Sequence, residues 1–213
     1  MKTIKITGIG NVTMEVNQIE INLTLTTLSK DYKSTVAEHD EKLNALMNAF
    51  LSSNFEKKDV KTNSFNIRPK YISVNKNGIY KQEFQGYEVY QSLTIEFPLN
   101  MILLDQILTN ISSSKTNPQI NVSFTIKDKS LFQNKLLESA CKDAKEKAQI
   151  LANCTNQKIV NIESIDYSFS TINVYSNAKY SCNSSMEKCS FGENFTPSDI
   201  EESAEVTFVF QVE

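Results

Sequence analysis

Two widely separated segments constrain the fold most: a strand-like stretch that contains two glycines, and a helix-like stretch with evenly spaced alanines. In residues 4–12, apolar and polar residues alternate around Gly8 and Gly10. In the helix-like stretch an alanine recurs at every fourth residue, at Ala140, Ala144 and Ala148. Residues four apart share one helix face. Because alanine side chains are small, the spacing predicts a long helix that packs closely against a sheet.

The rest of the chain alternates between the hydrophobic periods of strands and helices. Period-two alternation predicts strands over residues 4–16, 19–25, 60–72, 87–97, 120–126, 159–169 and 204–212. Spacings of three and four predict helices over residues 32–53, around 103–111 and over 129–154. Asp31 and Ser34 are candidate caps for the first helix. The order predicts an α+β fold, with antiparallel sheets packed against one long and two shorter helices.

Each predicted helix has a predicted inward face. For the first helix, this face consists of Val36, Leu43, Leu46, Met47 and Phe50. For the second, it consists of Leu103, Leu104, Ile107, Leu108 and Ile111. For the third, it consists of Leu136, Leu137, Ala140, Ala144, Ala148 and Leu151.

A predicted hairpin carries a concentration of tyrosines. Its turn is Asn75-Lys-Asn-Gly78, a strong hairpin signal. The tyrosines on or beside it are Tyr71, Tyr80, Tyr87 and Tyr90. They either pack across the strands or form a protein-contact surface, since tyrosine is enriched at interfaces. Because long strands also present edges that can pair with another chain, we expect at least a homodimer.

The chain shows no linker or repeat that would divide it into independent domains. Its 213 residues form a single domain, 1–213, or two small subdomains of it. Residues 170–200 are rich in Ser, Asn and Cys, and we expect one long polar loop there.

Composition excludes several classes of function. With 40% hydrophobic and 22% charged residues, the chain has an ordinary globular composition. A net charge of −3 gives no attraction to nucleic acid or to an anionic membrane. No apolar run approaches the roughly 20 residues that span a bilayer. The N-terminus lacks the apolar core of a signal peptide, so the chain is expected to be either cytoplasmic, which we favour as it stands, or a trimmed mature form.

The cysteines and the single histidine do not have the spacing of a metal site. Cys141 and Cys154 fall on the predicted long helix, and no C-x-x-C pair occurs. Cys182 and Cys189 flank a polar segment and could close as a disulfide in an oxidising compartment. His39 lies at helical spacing in the first helix without a neighbouring nucleophile, so we expect a packed or half-exposed histidine. We therefore expect no metal and no cofactor.

Two further patterns are weak signals of chemistry. The dinucleotide fingerprint needs a third glycine at position 13 and a following helix. Thr13 and a second strand stand there instead, so Gly8 and Gly10 are better explained as structural glycines. The carboxylates of Glu201, Glu202 and Glu205 are best explained as a solvated strand entry, and no residue is assigned as catalytic.

The order of these motifs resembles the SIMPL-domain (YggE-like) family of bacterial envelope and stress-related proteins. The strand motifs that carry the resemblance are Gly8-x-Gly10, Lys58-Asp-Val-Lys-Thr62, Gly86-Tyr-Glu-Val89, Ile120-Asn-Val-Ser-Phe124 and Val206-Thr-Phe-Val-Phe210. The helix motif is Ala140, Asp143-Ala144, Lys147-Ala148 and Leu151-Ala152. Two turns depart from the family pattern. Val16-Asn17-Gln18 stands in place of Pro-Asp, and Thr116-Asn117-Pro118 stands where a glycine is usual.

The resemblance implies a fold more than an activity. Family members are often periplasmic or envelope-associated, are loosely linked to oxidative stress, and have no accepted enzymatic activity or defined catalytic residues. The leading hypothesis is a non-catalytic, self-associating protein of undefined molecular role. The alternative is a module that binds a small ligand in a groove between sheet and helices.

Overall fold

A computed structural model describes residues 2–76, 78–167, 173–182 and 195–213 of the chain. The strands are β1 Lys2–Met14, β2 Gln18–Ser29, β3 Lys61–Lys76, β4 Ile79–Pro98, β5 Gln119–Thr125, β6 Ile159–Tyr167, β7 Tyr175–Cys182 and β8 Ile200–Val212. The helices are α1 Tyr32–Leu51, α2 Met101–Ser113 and α3 Lys129–Cys154, with a short 3-10 turn over Lys57–Asp59. Two antiparallel sheets and these helices confirm the predicted α+β class.

The chain divides into two compact units. Unit 1 contains Met1–Asn17, Thr125–Asn177 and Pro197–Glu213, and unit 2 contains Gln18–Phe124 and Ala178–Thr196. Asn17 and Gln18 lie at the boundary between β1 and β2, which belong to different sheets.

Unit 1 is built on a three-stranded sheet with the order β1-β8-β6. β1 pairs antiparallel with β8 without a register shift, from Lys2 opposite Val212 to Met14 opposite Ile200. One face of the sheet packs under α3. The buried residues of this core are Ile6, Ala140, Ala144, Ala148, Val206, Phe208 and Phe210.

Helix α3 buries a narrow stripe at a strict spacing of four. Its members are Phe132, Leu136, Ala140, Ala144, Ala148 and Ala152. The helix begins at Asp128, whose Oδ1 accepts the N–H of Leu131 at 2.8 Å. The prediction that Leu151 points inward is wrong, because Ala152 takes the next position of the stripe and leaves Leu151 44% exposed.

Unit 2 is built on a five-stranded sheet with the order β3-β4-β2-β5-β7. The inward residues of β2 are fully buried: Ile19, Ile21, Leu23 and Leu25. Helix α2 buries Leu104, Ile107, Leu108 and Ile111, as predicted, whereas Leu103 is only half-buried. Helix α1 begins at the predicted cap Asp31, whose Oδ2 accepts the N–H of Ser34.

The buried face of α1 is rotated from the predicted one. Its buried residues are Thr35, His39, Leu46, Ala49 and Phe50. Val36, Leu43 and Met47, which were predicted to point inward, are half-buried beside this face. Apolar spacing missed Thr35 because it is polar, whereas His39 is packed in the core, which is one of the two states expected for it.

The β3–β4 hairpin extends well beyond the rest of its sheet. The predicted turn is confirmed: Gly78 has φ +81°, and its N–H donates to Asn75 Oδ1 at 2.9 Å. β2 ends at Ser29, opposite Tyr87 of β4. Residues 71–76 and 78–84, which we call the arm, continue as a two-stranded ribbon beyond that point.

A glycine allows the arm to begin where it does. Gly86 has φ +147°, and a Cβ at this position would lie 2.2 Å from the carbonyl oxygen of Ser29. The β3–β4 register shifts between Lys70 and Tyr71 at the same level. A residue without a side chain is therefore needed where β4 passes the end of β2.

The range 170–200, predicted as one polar loop, contains the strand β7. Within this range, residues 170–172 and 183–194 lie outside the described residues. No helix in the described ranges is long and apolar enough to cross a lipid bilayer.

Candidate functional site

The arm is an exposed apolar element. Tyr80 is 71% exposed and Ile79 is 61% exposed, at the end of the arm nearest the turn. Tyr71, Ile72 and Phe84 are also exposed along its length. Clusters of exposed apolar side chains on one element are typical of interaction surfaces.

A chain of aromatic contacts anchors the arm to helix α1. Tyr71 packs edge-on against Phe84, with ring centroids 5.6 Å apart. Phe84 packs against Tyr87 at 5.4 Å, and Tyr87 packs against Tyr32 of α1 at 5.5 Å. These edge-to-face pairs stabilise the position of the arm relative to the body of unit 2.

The four tyrosines singled out in the sequence do not form one patch. Tyr71 and Tyr80 lie on the arm, and Tyr87 lies at its base in contact with α1. Tyr90 follows Tyr87 by three residues, so its side chain is on the opposite face of β4. The structure brings Tyr71 and Tyr87 together through Phe84, which the sequence analysis did not single out.

A charged cluster also lies at the base of the arm. The side chain of Glu88 is only 7% exposed, and its Oε2 accepts from Arg68 Nε at 3.2 Å and from Arg68 Nη2 at 3.0 Å. Lys70 Nζ donates to the other oxygen, Oε1. The Lys70 hydrogen bond, followed by the contacts with Arg68, holds the pKa of the Glu88 carboxyl below its usual value. Sequence reasoning missed this cluster, since its residues are far apart along the chain.

The two glycines of β1 lie directly against the backbone of α3. A Cβ added to Gly8 would lie 2.2 Å from the carbonyl oxygen of Ala140 and 2.5 Å from the nitrogen of Ala144. A Cβ added to Gly10 would lie 2.3 Å from the carbonyl oxygen of Leu136. Strand and helix therefore touch backbone to backbone, and the close approach predicted from the alanines is confirmed.

Charged residues of α3 complete this junction. The backbone N–H of Ile9 donates to Asp143 Oδ2 at 2.7 Å, and Lys147 Nζ donates to the same oxygen at 2.7 Å. The Lys147 hydrogen bond, and next the Ile9 N–H, hold the pKa of the Asp143 carboxyl below its usual value. Since β1 is an end strand of its sheet, Asp143 satisfies a backbone donor that would otherwise face solvent.

His39 lies in the core of unit 2 as part of a hydrogen-bonded chain. Its Nε2 is 2.9 Å from Gln91 Oε1, and its Nδ1 is 3.2 Å from Thr27 Oγ1. Gln91 Nε2 in turn donates to Thr62 Oγ1 at 3.1 Å. When the Gln91 amide oxygen accepts from Nε2–H, the Thr27 hydroxyl donates to Nδ1. Each nitrogen of the ring then has a hydrogen-bond partner. Both ring nitrogens are therefore engaged by neutral groups.

The remaining candidates are dispersed. Glu201 and Glu202 line a surface groove of about 300 Å³ together with Asn11 and Thr13. In the ranges that the structure describes, no three His, Cys, Asp or Glu side chains are placed to hold a metal ion.

The cysteines are divided between the described and the undescribed parts of the chain. Cys141 is half-buried and Cys154 is exposed, and both are free thiols. Cys182 ends β7, but Cys189 lies outside the described residues, so the Cys182–Cys189 disulfide stays a prediction.

A groove between sheet and helix exists in unit 1. It has a volume of about 340 Å³ and is lined by Lys5, Ile6, Thr7, Lys147, Ile150 and Leu151. Leu151, which the buried stripe of α3 leaves out, forms part of its wall together with the exposed Ile150.

The fold is α+β, and the glycines of β1 pack against the alanines of α3. These glycines and alanines belong to the motifs on which the resemblance rests. The sequence model of the SIMPL family, described as a protein of unknown function (DUF541), matches residues 4–210. The chain belongs to this family. A search of curated protein sequences finds no match to the chain.

Most of the helix motif named above has a structural explanation. Ala140 and Ala144 contact the glycines of β1, while Asp143 accepts hydrogen bonds from the N–H of Ile9 and from Lys147 Nζ. Asn117 has φ +49°, a left-handed conformation that asparagine tolerates and glycine adopts freely, at the turn where the family pattern has glycine.

Proposed function

We propose that the chain is a non-catalytic, self-associating SIMPL-domain protein and that the arm is its contact surface. The observation that carries the proposal is the arm itself, a two-stranded ribbon with five exposed apolar side chains. They are Tyr71, Ile72, Ile79, Tyr80 and Phe84. Isolated two-stranded ribbons are marginally stable in water, so packing against a partner would stabilise this one.

Magnitudes favour a contact that uses the whole arm. Fully burying a large apolar side chain stabilises by about 1.5–3 kcal/mol. Association costs roughly 4–15 kcal/mol in lost translational and rotational freedom. The strand register places Tyr71, Tyr80 and Phe84 on one face of the arm and Ile72 and Ile79 on the other. A contact with one face alone buries at most three of them, worth roughly 4.5–9 kcal/mol, whereas a contact that engages both faces buries all five.

The absence of a catalytic role is part of the proposal. It is supported by His39, whose ring nitrogens are occupied by Gln91 and Thr27 in a buried site. It is also supported by Asp143 and Lys147, which are engaged in the contact between β1 and α3. A stress-related role comes from the family resemblance alone and stays a prediction.

The test is the mass in solution by light scattering over a dilution series. We expect the wild-type chain to exceed the monomer mass of 24.1 kDa and to dissociate on dilution. The double variant Ile79→Ser/Tyr80→Ser should shift the equilibrium to monomer. Ile102→Ser is the matched control, because Ile102 is 75% exposed on α2, away from the arm. A wild-type monomer at high concentration, or an arm variant with unchanged mass, would contradict the proposal.

A second candidate function is supported by the groove between β1 and α3. Its volume of about 340 Å³ is within the range of small-ligand sites. Ile150 and Leu151 supply an apolar wall, and the groove is also lined by the basic residue Lys5 and by Lys147, whose ammonium is paired with Asp143. This combination suits a small anionic amphiphile, such as a medium-chain carboxylate.

Calorimetric titration with decanoate tests this second candidate. We expect saturable binding by the wild-type chain and its loss in Ile150→Glu, which places a carboxylate on the apolar wall. Ile102→Glu is the control for adding a negative charge at another exposed isoleucine. Equal heats for the two variants would remove the groove from consideration.

A further inference from the structure

We propose that the arm of one copy packs on strand β6 of a second copy. The inference rests on the proposed self-association and names the surface that receives the arm. β6 is the other end strand of the unit 1 sheet, and it exposes Val160, Ile162 and Ile165. Seven of its nine residues are exposed, and the remaining two are half-buried.

The apolar face of the unit 1 sheet continues past the cover that α3 provides. Ile162 is opposite Phe210 and Ile165 is opposite Phe208, so these pairs share one face of the sheet. Phe208 and Phe210 are buried in the core beneath α3, whereas Ile165 is 56% exposed. Ile162 and Ile165 thus form an uncovered extension of this core.

The backbone edge of β6 favours side-chain packing over strand addition. Its register against β8 shifts between Ile159 and Asn161, and again between Ile162 and Ser164. The N–H of Ile162 donates to Asn161 Oδ1 at 2.9 Å. Shifts and local capping of this kind disfavour pairing with another strand. The face of the strand is therefore the docking surface.

Electrostatic attraction favours β6, and not a second arm, as the binding partner of the arm. The arm sequence contains Lys76, Lys81 and Glu83, a net charge of +1. β6 contains Glu163 and Asp166 and no basic residue, a net charge of −2, although Asp166 is opposite Thr207 and so points to the other face of the sheet from Ile165. Two arms would repel each other weakly, whereas an arm and β6 attract, and such complementarity sets partner choice.

Crosslinking between differently tagged copies tests the contact. In a parent with Cys141, Cys154, Cys182 and Cys189 replaced by serine, Ile79→Cys is placed in one copy and Ile165→Cys in another. At equal concentrations random pairing gives like, mixed and like products in a ratio of about 1:2:1, and we expect the mixed disulfide to exceed this share clearly. Ile102→Cys replaces the arm variant in the control mixture. The inference would be overturned if Ile102→Cys crosslinked to Ile165→Cys as strongly as Ile79→Cys does. A dominant disulfide between two arms would overturn it as well.

Charge reversal in the wild-type background gives an independent measurement. Lys81→Glu alone, and Glu163→Lys/Asp166→Lys alone, should each raise the dissociation constant about tenfold. Mixing the two variants should restore association, because the charges are again opposite. Unchanged dissociation constants in each variant would count against β6.

The outcomes separate the inference from the proposed function. A monomeric parent in light scattering would remove both. An oligomeric parent without the mixed disulfide would leave self-association standing and remove β6 as its partner.

Discussion

Replacing Ala144 by leucine tests the closest contact in unit 1. Ala144 is fully buried on α3, and a Cβ added to Gly8 would lie 2.6 Å from the Ala144 Cβ. Leucine has three more side-chain carbon atoms than alanine. The Ala144 side chain already lies against the backbone of β1 at Gly8, so there is no space for them. The strand and helix must separate to admit them, because neither can yield locally.

The expected cost follows from this lack of space. Inserting carbon atoms into a well-packed core costs about 1–3 kcal/mol. In a chain of 213 residues, each kcal/mol lowers Tm by about 2–4 °C. We therefore expect Ala144→Leu to lower Tm by roughly 2–12 °C, measured by calorimetry and checked by urea unfolding.

The control for this substitution is the neighbouring residue. Lys145 is exposed on α3, so Lys145→Leu introduces the same side chain without burying it. Its effect should stay within about 0.5 kcal/mol. If Ala144→Leu left the free energy of unfolding as unchanged as this control, the close packing of α3 on β1 would be refuted.

Three further predictions concern unit 2 and metal content. Because the pKa of Glu88 is lowered by Lys70 and Arg68, its stabilising contribution is complete above the unfolded pKa of about 4.5. This contribution is lost as the pH falls through the lowered pKa of Glu88 in the folded state. Glu88→Gln should therefore make Tm fall less steeply as the pH is lowered. Gly86→Ala should destabilise by about 1–3 kcal/mol in urea unfolding, through its positive φ and its contact with Ser29, and an unchanged midpoint would contradict this. Elemental analysis of the purified protein should show no stoichiometric zinc; one equivalent would contradict the expectation.

The spacing of apolar residues along the sequence predicted most of the helices and strands. Helix α3 was predicted over residues 129–154, and the structure has Lys129–Cys154. Its apolar residues and alanines recur at spacings of three and four over the whole length of the helix, which left little ambiguity. The inward face was less accurate, because a spacing of four excludes Leu151 although apolar spacing alone admits it.

The charged cluster at the base of the arm could not be predicted, since it depends on a register shift. Counting outward from the turn, Tyr71 is opposite Phe84, and continued pairing would place Arg68 opposite Tyr87. The irregularity at Lys70 moves Arg68 opposite Glu88 instead. Gly86 was the available signal, because an isolated glycine in a strand often marks a bulge.

The strands that pair in the sheet of unit 1 are synthesised at widely separated times. Thr7 of β1 hydrogen-bonds Thr207 of β8, which is 200 residues away in the sequence. At about 5–20 residues per second, synthesis of the intervening chain takes roughly 10–40 seconds. Gln18–Phe124, the continuous part of unit 2, can therefore fold while β1 still lacks its neighbouring strand. Pairing of β1 with β8, which closes the sheet of unit 1, is thus a late, non-local step.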